Sequence, residues 1–485
     1  MITKVYGPPG TGKTTKLLEI VKHYIDIDTP LDKIGYFAFT RKAANEAKER
    51  MNKPKKDLQY FQTLHSLAFH SLGLREENIM QPHHYEDLGK MLNIRVNFQD
   101  KYNDQESHYL TCDNLYFQII NKARNKDISV RSEWYTSEYI NEDVKWELLS
   151  HIALNLKEYK VKNNLIDFND IISMFIEKNV CPEFEVVFID EAQDLSPLQW
   201  KMYDVLVEKS QDVYLAGDDD QAIFQWAGAD VNRFINESGR EIFLTQSHRI
   251  PSQVQQTSKT IINRIQGLRV GKRYSPKEEE GNVTTISDIN QVDTTKGNWL
   301  ILSRTASKLK DIMKQLEERG VYYETKKGKS YTVKLYKAIV NYTRWTKGES
   351  ITENEMKDIQ DYTDKMDKKL TWFESFTFAP KNQKDYIRLM LSNKEKLFED
   401  ARVRLSTIHA AKGGESDNVV LILDNARKIR QSVENSVNKR DEEHRVWYVG
   451  VTRARKNLYL MRAKIERYGY NLSLIHISEP TRPNN

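Results

Sequence analysis

Between the apolar run Ile2 to Tyr6 and the helix-like stretch Lys16 to Tyr24 stands Gly7-Pro8-Pro9-Gly10-Thr11-Gly12-Lys13-Thr14-Thr15. Strand, glycine loop and helix in this order make a phosphate cradle, because residues without a Cβ let successive backbone N–H groups turn inward on an anion. The helix start behind them adds the positive end of its dipole. Lys13 is then placed to reach the terminal phosphates of a nucleotide, and the Thr14 hydroxyl to ligate Mg²⁺. A second chemical pair, Asp190-Glu191, follows the apolar run Val186 to Ile189. Acids emerging from the carboxyl end of a strand sit where open α/β sheets bind ligands. There Asp190 suits Mg²⁺ held through water, and Glu191 suits orienting and deprotonating an attacking water.

The elements that must hold these residues follow from periodicity. Ile34 to Thr40 reads as a buried strand and Arg41 to Met51 as the helix after it. Strand signals return at Glu185 to Ile189, Val213 to Gly217 and Ile242 to Thr245, completing a parallel sheet that alternates with helices. From 70 to 174 the chain is rich in Tyr, Asn, Lys and Asp, with helical periodicity in Trp146 to Tyr159 and Asp167 to Glu177; this predicts a mainly helical insertion. A second alternating series comprises strands Asn282 to Ser287, Trp299 to Ser303, Val403 to Ile408, Asn418 to Leu423 and Asn457 to Met461, with helix Lys308 to Arg319. The expected organisation is therefore α/β with two cores, 1–69 with 175–245 and 246–348 with 401–471. The first is interrupted by 70–174 and the second by the short, lysine-rich 349–400.

At 485 residues the chain exceeds one compact core, and 39% hydrophobic residues suit globular folding rather than disorder. A formal charge of +5 is small for this length, so a surface for a polyanion must be a local patch. Lys122, Arg124, Lys126, Arg131, Lys157, Lys160 and Lys162 interleave with Tyr and Trp in the helical insertion. That composition fits either a groove tracking a nucleic-acid backbone or the solvated face of ordinary helices. Cys112 and Cys181 lie far apart without partners at metal-ligand spacing, which argues against a disulfide framework and a zinc site. No apolar run nears the roughly 20 residues that span a bilayer, and the P-loop starts too close to Met1 to follow a signal peptide. A soluble, cytoplasmic protein with no membrane association is expected. Residues 472–485 (LSLIHISEPTRPNN) fit neither core and resemble translated sequencing-adapter read-through, so no role is expected of them.

The ordered blocks GPPGTGKTT, FTRKAA, TLHS, DEAQD, GDDDQAIFQWAGA, QSHR, TIHAAKGGE and YVGVTRAR run from Gly7 to Arg455. Together they resemble the UvrD/Rep family of superfamily 1 DNA helicases. The resemblance implies two RecA-like P-loop NTPase domains that clamp one ATP with Mg²⁺, Thr14 and Asp190 serving the metal. It implies a catalytic set of Lys13, Glu191, Gln221, Arg249 and Arg453, with Gln221 sensing the γ-phosphate and the two arginines acting as fingers from the second domain. Nucleotide contacts fall on Gly7, Pro8, Pro9, Gly10, Thr11, Gly12, Lys13, Thr14, Thr15, His248 and Glu415. His248 stands where the family usually has a tyrosine stacking on adenine, and Glu415 matches the acid on the ribose. Single-stranded DNA contacts fall on Phe39, Thr40, Arg41, Thr63, His65, Trp226, Thr407 and His409, Trp226 being the wedge between bases.

The acidic triple Asp218-Asp219-Asp220 has metal-site character, but in the family this loop is a turn leading to Gln221. Three features depart from the pattern: no glutamine-bearing segment precedes the P-loop, leaving ATP against GTP open; Ala227 follows Trp226 where an arginine is usual; and 349–400 is short. The resulting expectation is a monomeric, ATP-dependent motor on single-stranded DNA and its junctions with duplex, moving 3′ to 5′. A translocase that displaces proteins without unwinding, and an RNA-preferring helicase, are the alternatives.

Overall fold

The computed structural model describes residues 1–98, 112–136 and 144–472; positions 473–485 of the expected tail lie outside the described residues. The chain divides into two units, one formed by Met1–Ile250, Ile261–Glu278 and Ser436–Tyr448, the other by Pro251–Thr260, Glu279–Asn435 and Val449–Asn485.

In the first unit, β1 (Ile2–Tyr6), β2 (Ile34–Phe37), β3 (Phe61–Gln62), β4 (Phe184–Ile189), β5 (Ser210–Gly217) and β6 (Arg240–Phe243) form one sheet in the order β3-β2-β4-β5-β1-β6. Every pairing is parallel. Such a sheet needs apolar cover on both faces, and the strands supply it by alternation. Val5, Val186 and Phe188 pack on one face with Leu17, Leu18, Val21, Ala44 and Ala47. Tyr6, Val187 and Ile189 pack on the other with Leu198, Met202 and Leu206. Because β4, β5 and β1 are adjacent and parallel, their carboxyl ends share one edge, with Ile189 opposite Leu215 and Tyr6 opposite Gly217.

The helical insertion has its own core, built on Tyr85, Leu88, Phe117, Ile120, Leu149, Ile152 and Leu156. Its last expected helix does not belong there. Helix Phe168–Lys178 is opened by a capping box between Asp167 and Asp170, and it buries Ile171, Ile172 and Phe175 in the sheet core beside Leu64 and Leu67. Helical periodicity shows which face is buried but not against what, so a boundary at 174 cuts through this helix.

The second unit holds β7 (Asn282–Ile286), β8 (Trp299–Ser303), β9 (Tyr323–Thr325), β10 (Gly328–Lys329), β11 (Val403–Thr407), β12 (Ser416–Ile422) and β13 (Ala454–Met461), in the order β10-β9-β11-β8-β12-β13-β7. Only the β9–β10 hairpin is antiparallel. Strands of two or three residues such as β3, β9 and β10 are too short to show a period of two. Helices Val333–Thr346, Glu353–Gln360, Trp372–Ser375 and Lys381–Ser392 share a cluster including Ile339, Tyr342, Ile359, Phe376, Ile387 and Met390. This helical layer therefore begins ahead of the expected boundary at 349. Among the described residues no helix is long and apolar enough to cross a membrane.

Candidate functional site

The P-loop leaves β1 at Tyr6, where Gly7 N–H donates to Gly217 O on β5 (3.2 Å). Gly10 and Gly12 adopt φ of +73° and +81°, a region L side chains avoid, and Gly12 caps helix Lys13–Asp26. A Cβ on Gly7 would collide with the Lys13 side chain, and one on Gly10 with Arg249. Lys13 Nζ donates to Gly7 O (2.9 Å) and Thr11 Oγ1 to Pro8 O (2.8 Å), so the lysine lies along the loop it would serve.

The QSHR segment closes on the same loop. Ser247 Oγ donates to Pro9 O (2.8 Å) and His248 N–H to Gly10 O (2.9 Å). Arg249 thus sits in the first unit with its backbone against Gly10, whereas the sequence places 246 onward in the second core. The shift comes from hydrogen bonds to P-loop carbonyls, which no periodicity reveals. His248 is exposed.

Asp190 follows β4 and is 4% exposed. Its Oδ2 accepts from Thr14 Oγ1 (2.6 Å) and from the Tyr36 hydroxyl (3.0 Å), and its Oδ1 from Glu191 N–H (3.0 Å). Burial pushes the Asp190 carboxyl above the usual range, the neighbouring Glu191 adds to this, and Thr14, Lys13 and Tyr36 act against it. Thr14 and Asp190 offer hard oxygen donors side by side, and among the described residues no group of three or more His, Cys, Asp or Glu could hold a metal alone. That donor set fits Mg²⁺, which dehydrates reluctantly and takes much of its shell from water and phosphate.

Tyr36, fully buried on β2, was not among the expected site residues; its only sequence signal is a phenol inside an otherwise apolar strand. Tyr36→Phe removes one of two side-chain donors to a buried carboxylate. It is expected to destabilise the first unit by about 1.5–3 kcal/mol, read from urea unfolding, with Thr14→Val as the companion variant.

Glu191 adopts φ +57° and ψ 41°, a left-handed conformation that strains a non-glycine residue and recurs where side chains must be aimed. Gln193 Nε2 donates to Glu191 Oε2 (2.5 Å), and Gln193 Oε1 accepts from Asp218 N–H (3.0 Å) at the end of β5. Gln221 Nε2 donates to Asp218 Oδ2 (2.7 Å). Thus Lys13, Thr14, Asp190, Glu191 and Gln221 all issue from the shared edge of β1, β4 and β5.

Among the other expected contacts in the first unit, Trp226 is 49% exposed on the turn Gln225–Ala227. That turn is tied to the helical insertion by Asn125 Nδ2 donating to Ala227 O (3.2 Å). Phe39 is 8% exposed, its ring stacked on Phe224 at 5.5 Å beneath the same turn. Thr40 and Thr63 cap helices Arg41–Met51 and Leu64–Ser71, accepting from Ala43 N–H and Ser66 N–H. Arg41 is exposed, and His65 is buried with Phe168 edge-on at 5.9 Å. Arg124 and Lys160 are committed to a buried cluster with Asp167 and Asp170, and Lys122 and Lys126 to Glu133. Of the basic residues in the insertion, these four therefore hold helices together.

In the second unit, Arg453 is 1% exposed and donates to Val449 O (3.0 Å) and Gly414 O (3.2 Å). Glu415 pairs with Arg455 (3.2 Å). Thr407 Oγ1 accepts from Ala410 N–H (3.3 Å), and burial, then Arg304 and Lys412, push the His409 imidazole down to about 3.

The family model for the UvrD/REP helicase N-terminal domain matches residues 2–240, and that for the UvrD-like helicase C-terminal domain matches 333–464. YjcD of Bacillus subtilis is 24% identical over 405 residues, covering 73% of this chain and 51% of that protein. The ATP-dependent DNA helicase PcrA of Leuconostoc citreum is 22% identical over 360 residues, 65% of this chain and 46% of its own length. The ATP-dependent DNA helicase Rep of Buchnera aphidicola is 23% identical over 351 residues, 67% of this chain and 49% of its own. The chain spans about half the length of these relatives.

Proposed function

Since the chain belongs to the UvrD/REP helicase family, we propose that it hydrolyses ATP and uses the cycle to move along single-stranded DNA, 3′ to 5′, separating duplex at junctions. The observation that carries this reading is the convergence of Lys13, Thr14, Asp190, Glu191 and Gln221 on one edge of the first sheet, with the Arg249 backbone against Gly10.

In this reading the P-loop amides and Lys13 hold the triphosphate, and Thr14 and Asp190 hold Mg²⁺, which would neutralise charge on the phosphate oxygens. Glu191 orients the attacking water and takes its proton. Gln221 senses the γ-phosphate, while Arg249 offsets charge on the transferring group. His248 contacts the nucleoside. The exposed Trp226 stacks between bases, with the exposed Arg41 as the backbone contact from the same unit.

Unwinding of duplexes bearing a 3′ or a 5′ single-stranded tail, run with ATP and with GTP, tests activity, polarity and base preference together. Equal unwinding from both tails would overturn the polarity. Phosphate release that no single-stranded DNA stimulates would overturn the motor reading. Trp226→Ala is expected to weaken binding of a fluorescent oligonucleotide by about 1–3 kcal/mol, the usual worth of one base stack, with little effect on folding because the ring is half exposed.

A further inference from the structure

Asp218, Asp219 and Asp220 are 0%, 0% and 1% exposed. Three carboxylates at consecutive positions repel one another, and burial strengthens that repulsion unless cations are brought in with them. The cations come from a stretch without regular secondary structure, 263–278. Lys272, its side chain 2% exposed, pairs with Asp218 (2.8 Å), with Asp219 and with Asp220 (3.0 Å). Arg269 grips Asp220 through Nε (2.6 Å) and Nη2 (3.0 Å), and Val270 N–H donates to Asp219 Oδ2 (3.0 Å). Arg445 Nε donates to Asp219 O (2.9 Å) and its Nη2 to Leu268 O (3.2 Å). All of these residues belong to the first unit.

What lies on the other side of the triple distinguishes this cluster from an ordinary buried ion network. Asp218 Oδ2 accepts from Gln221 Nε2, and Asp218 N–H donates to Gln193 Oε1, whose amide donates in turn to Glu191. One end of this hydrogen-bonded chain is the Lys272 ammonium; the other is the carboxylate assigned to activate water. A carboxylate that accepts from Lys272 and Gln221 at once has few orientations left, so the lysine fixes the Asp218 side chain; Asp218 then holds Gln221 through that carboxylate and Gln193 through its backbone N–H.

We propose that Lys272 is a positioning residue for hydrolysis, holding Asp218 so that Gln221 and, by way of Gln193, Glu191 are aimed at the γ-phosphate and its attacking water. The proposal rests on the roles given above to Glu191 and Gln221. Burial would raise the Asp218 carboxyl, but Lys272 and then Lys13 hold it below the usual range, which keeps it an acceptor for Lys272 and Gln221.

The test compares the full chain with Lys272→Met, Gln193→Met, their combination, and Lys272→Arg, measuring kcat and KM for ATP, binding of a fluorescent ADP analogue and thermal unfolding. Lys272→Met/Asp219→Asn is added because it removes one buried negative charge along with the cation and so protects the fold. Expected are a kcat lower on the order of 10- to 100-fold, typical of partners that orient a reacting group from behind, with KM and ADP affinity near wild type and partial recovery in Lys272→Arg. The Lys272→Met and Gln193→Met losses should not multiply, since both cut one chain.

Wild-type kcat in Lys272→Met/Asp219→Asn would overturn the proposal, as would multiplying losses or a kcat loss matched by loss of ADP binding. If Lys272→Met does not fold, Lys272→Met/Asp219→Asn beside Gln193→Met decides. Glu191→Gln run in parallel separates the two failures: wild-type hydrolysis in that variant removes the underlying roles, whereas its inactivity beside an active Lys272 variant removes only the lysine's.

Discussion

Glu191→Gln is expected to bind nucleotide as the unaltered chain does while steady-state phosphate release falls by about 10²- to 10⁴-fold, the span that general-base catalysis supplies. The substitution keeps the volume of the side chain and an oxygen that can accept from Gln193 Nε2, so the strained backbone at Glu191 and the neighbouring Asp190 should be undisturbed. What it removes is the proton acceptor. Binding of a fluorescent ADP analogue and phosphate release, measured on the same preparation, separate the two effects. Hydrolysis at the wild-type rate would take Glu191 out of its role and mean that water is activated by another group.

Arg249→Ala is expected to cost about 10³- to 10⁵-fold in turnover, the usual worth of an arginine that meets transition-state charge. The structure adds a reason to expect a sharp loss: Arg249 is held against Gly10 by its own backbone, with the two residues before it, Ser247 and His248, bonded to the P-loop carbonyls of Pro9 and Gly10. Its attachment to the phosphate loop therefore survives removal of the side chain, and the variant should fold and bind nucleotide. Arg249→Lys restores a charge without the planar fork, so it should recover only part of the rate. A turnover in Arg249→Ala within a few-fold of wild type would mean that this arginine serves packing of the loop.

The sequence determined the elements and the chemistry nearest to them. The run Gly7 to Thr15 and the pair Asp190-Glu191 are local patterns, and the apolar runs before them place each at the end of a strand, so the residues proposed for phosphate binding and water activation could be picked out one motif at a time. Helix Arg41–Met51 and strand Trp299–Ser303 have the expected bounds for the same reason: their periodicity is complete within one element. The order of the motifs along the chain carried the family resemblance.

Tertiary structure alone decided what meets across long sequence separations. Adjacency of β4, β5 and β1 is a matter of sheet order, which local patterns do not encode, and it is this order that brings Asp190, Asp218 and Gly7 to one edge. Tyr36 reaches Asp190 across more than 150 positions, and Lys272 meets the acidic triple from a segment with no periodicity at all. The triple looked like a turn, and Arg124 and Lys160 like candidates for a nucleic-acid groove. In the fold the triple meets Arg269 and Lys272, 49 and 53 positions on, Arg124 meets Asp167 and Asp170, 43 and 46 positions on, and Lys160 joins that same acidic pair, because a buried charge requires a counter-charge and only the packed chain determines which one arrives.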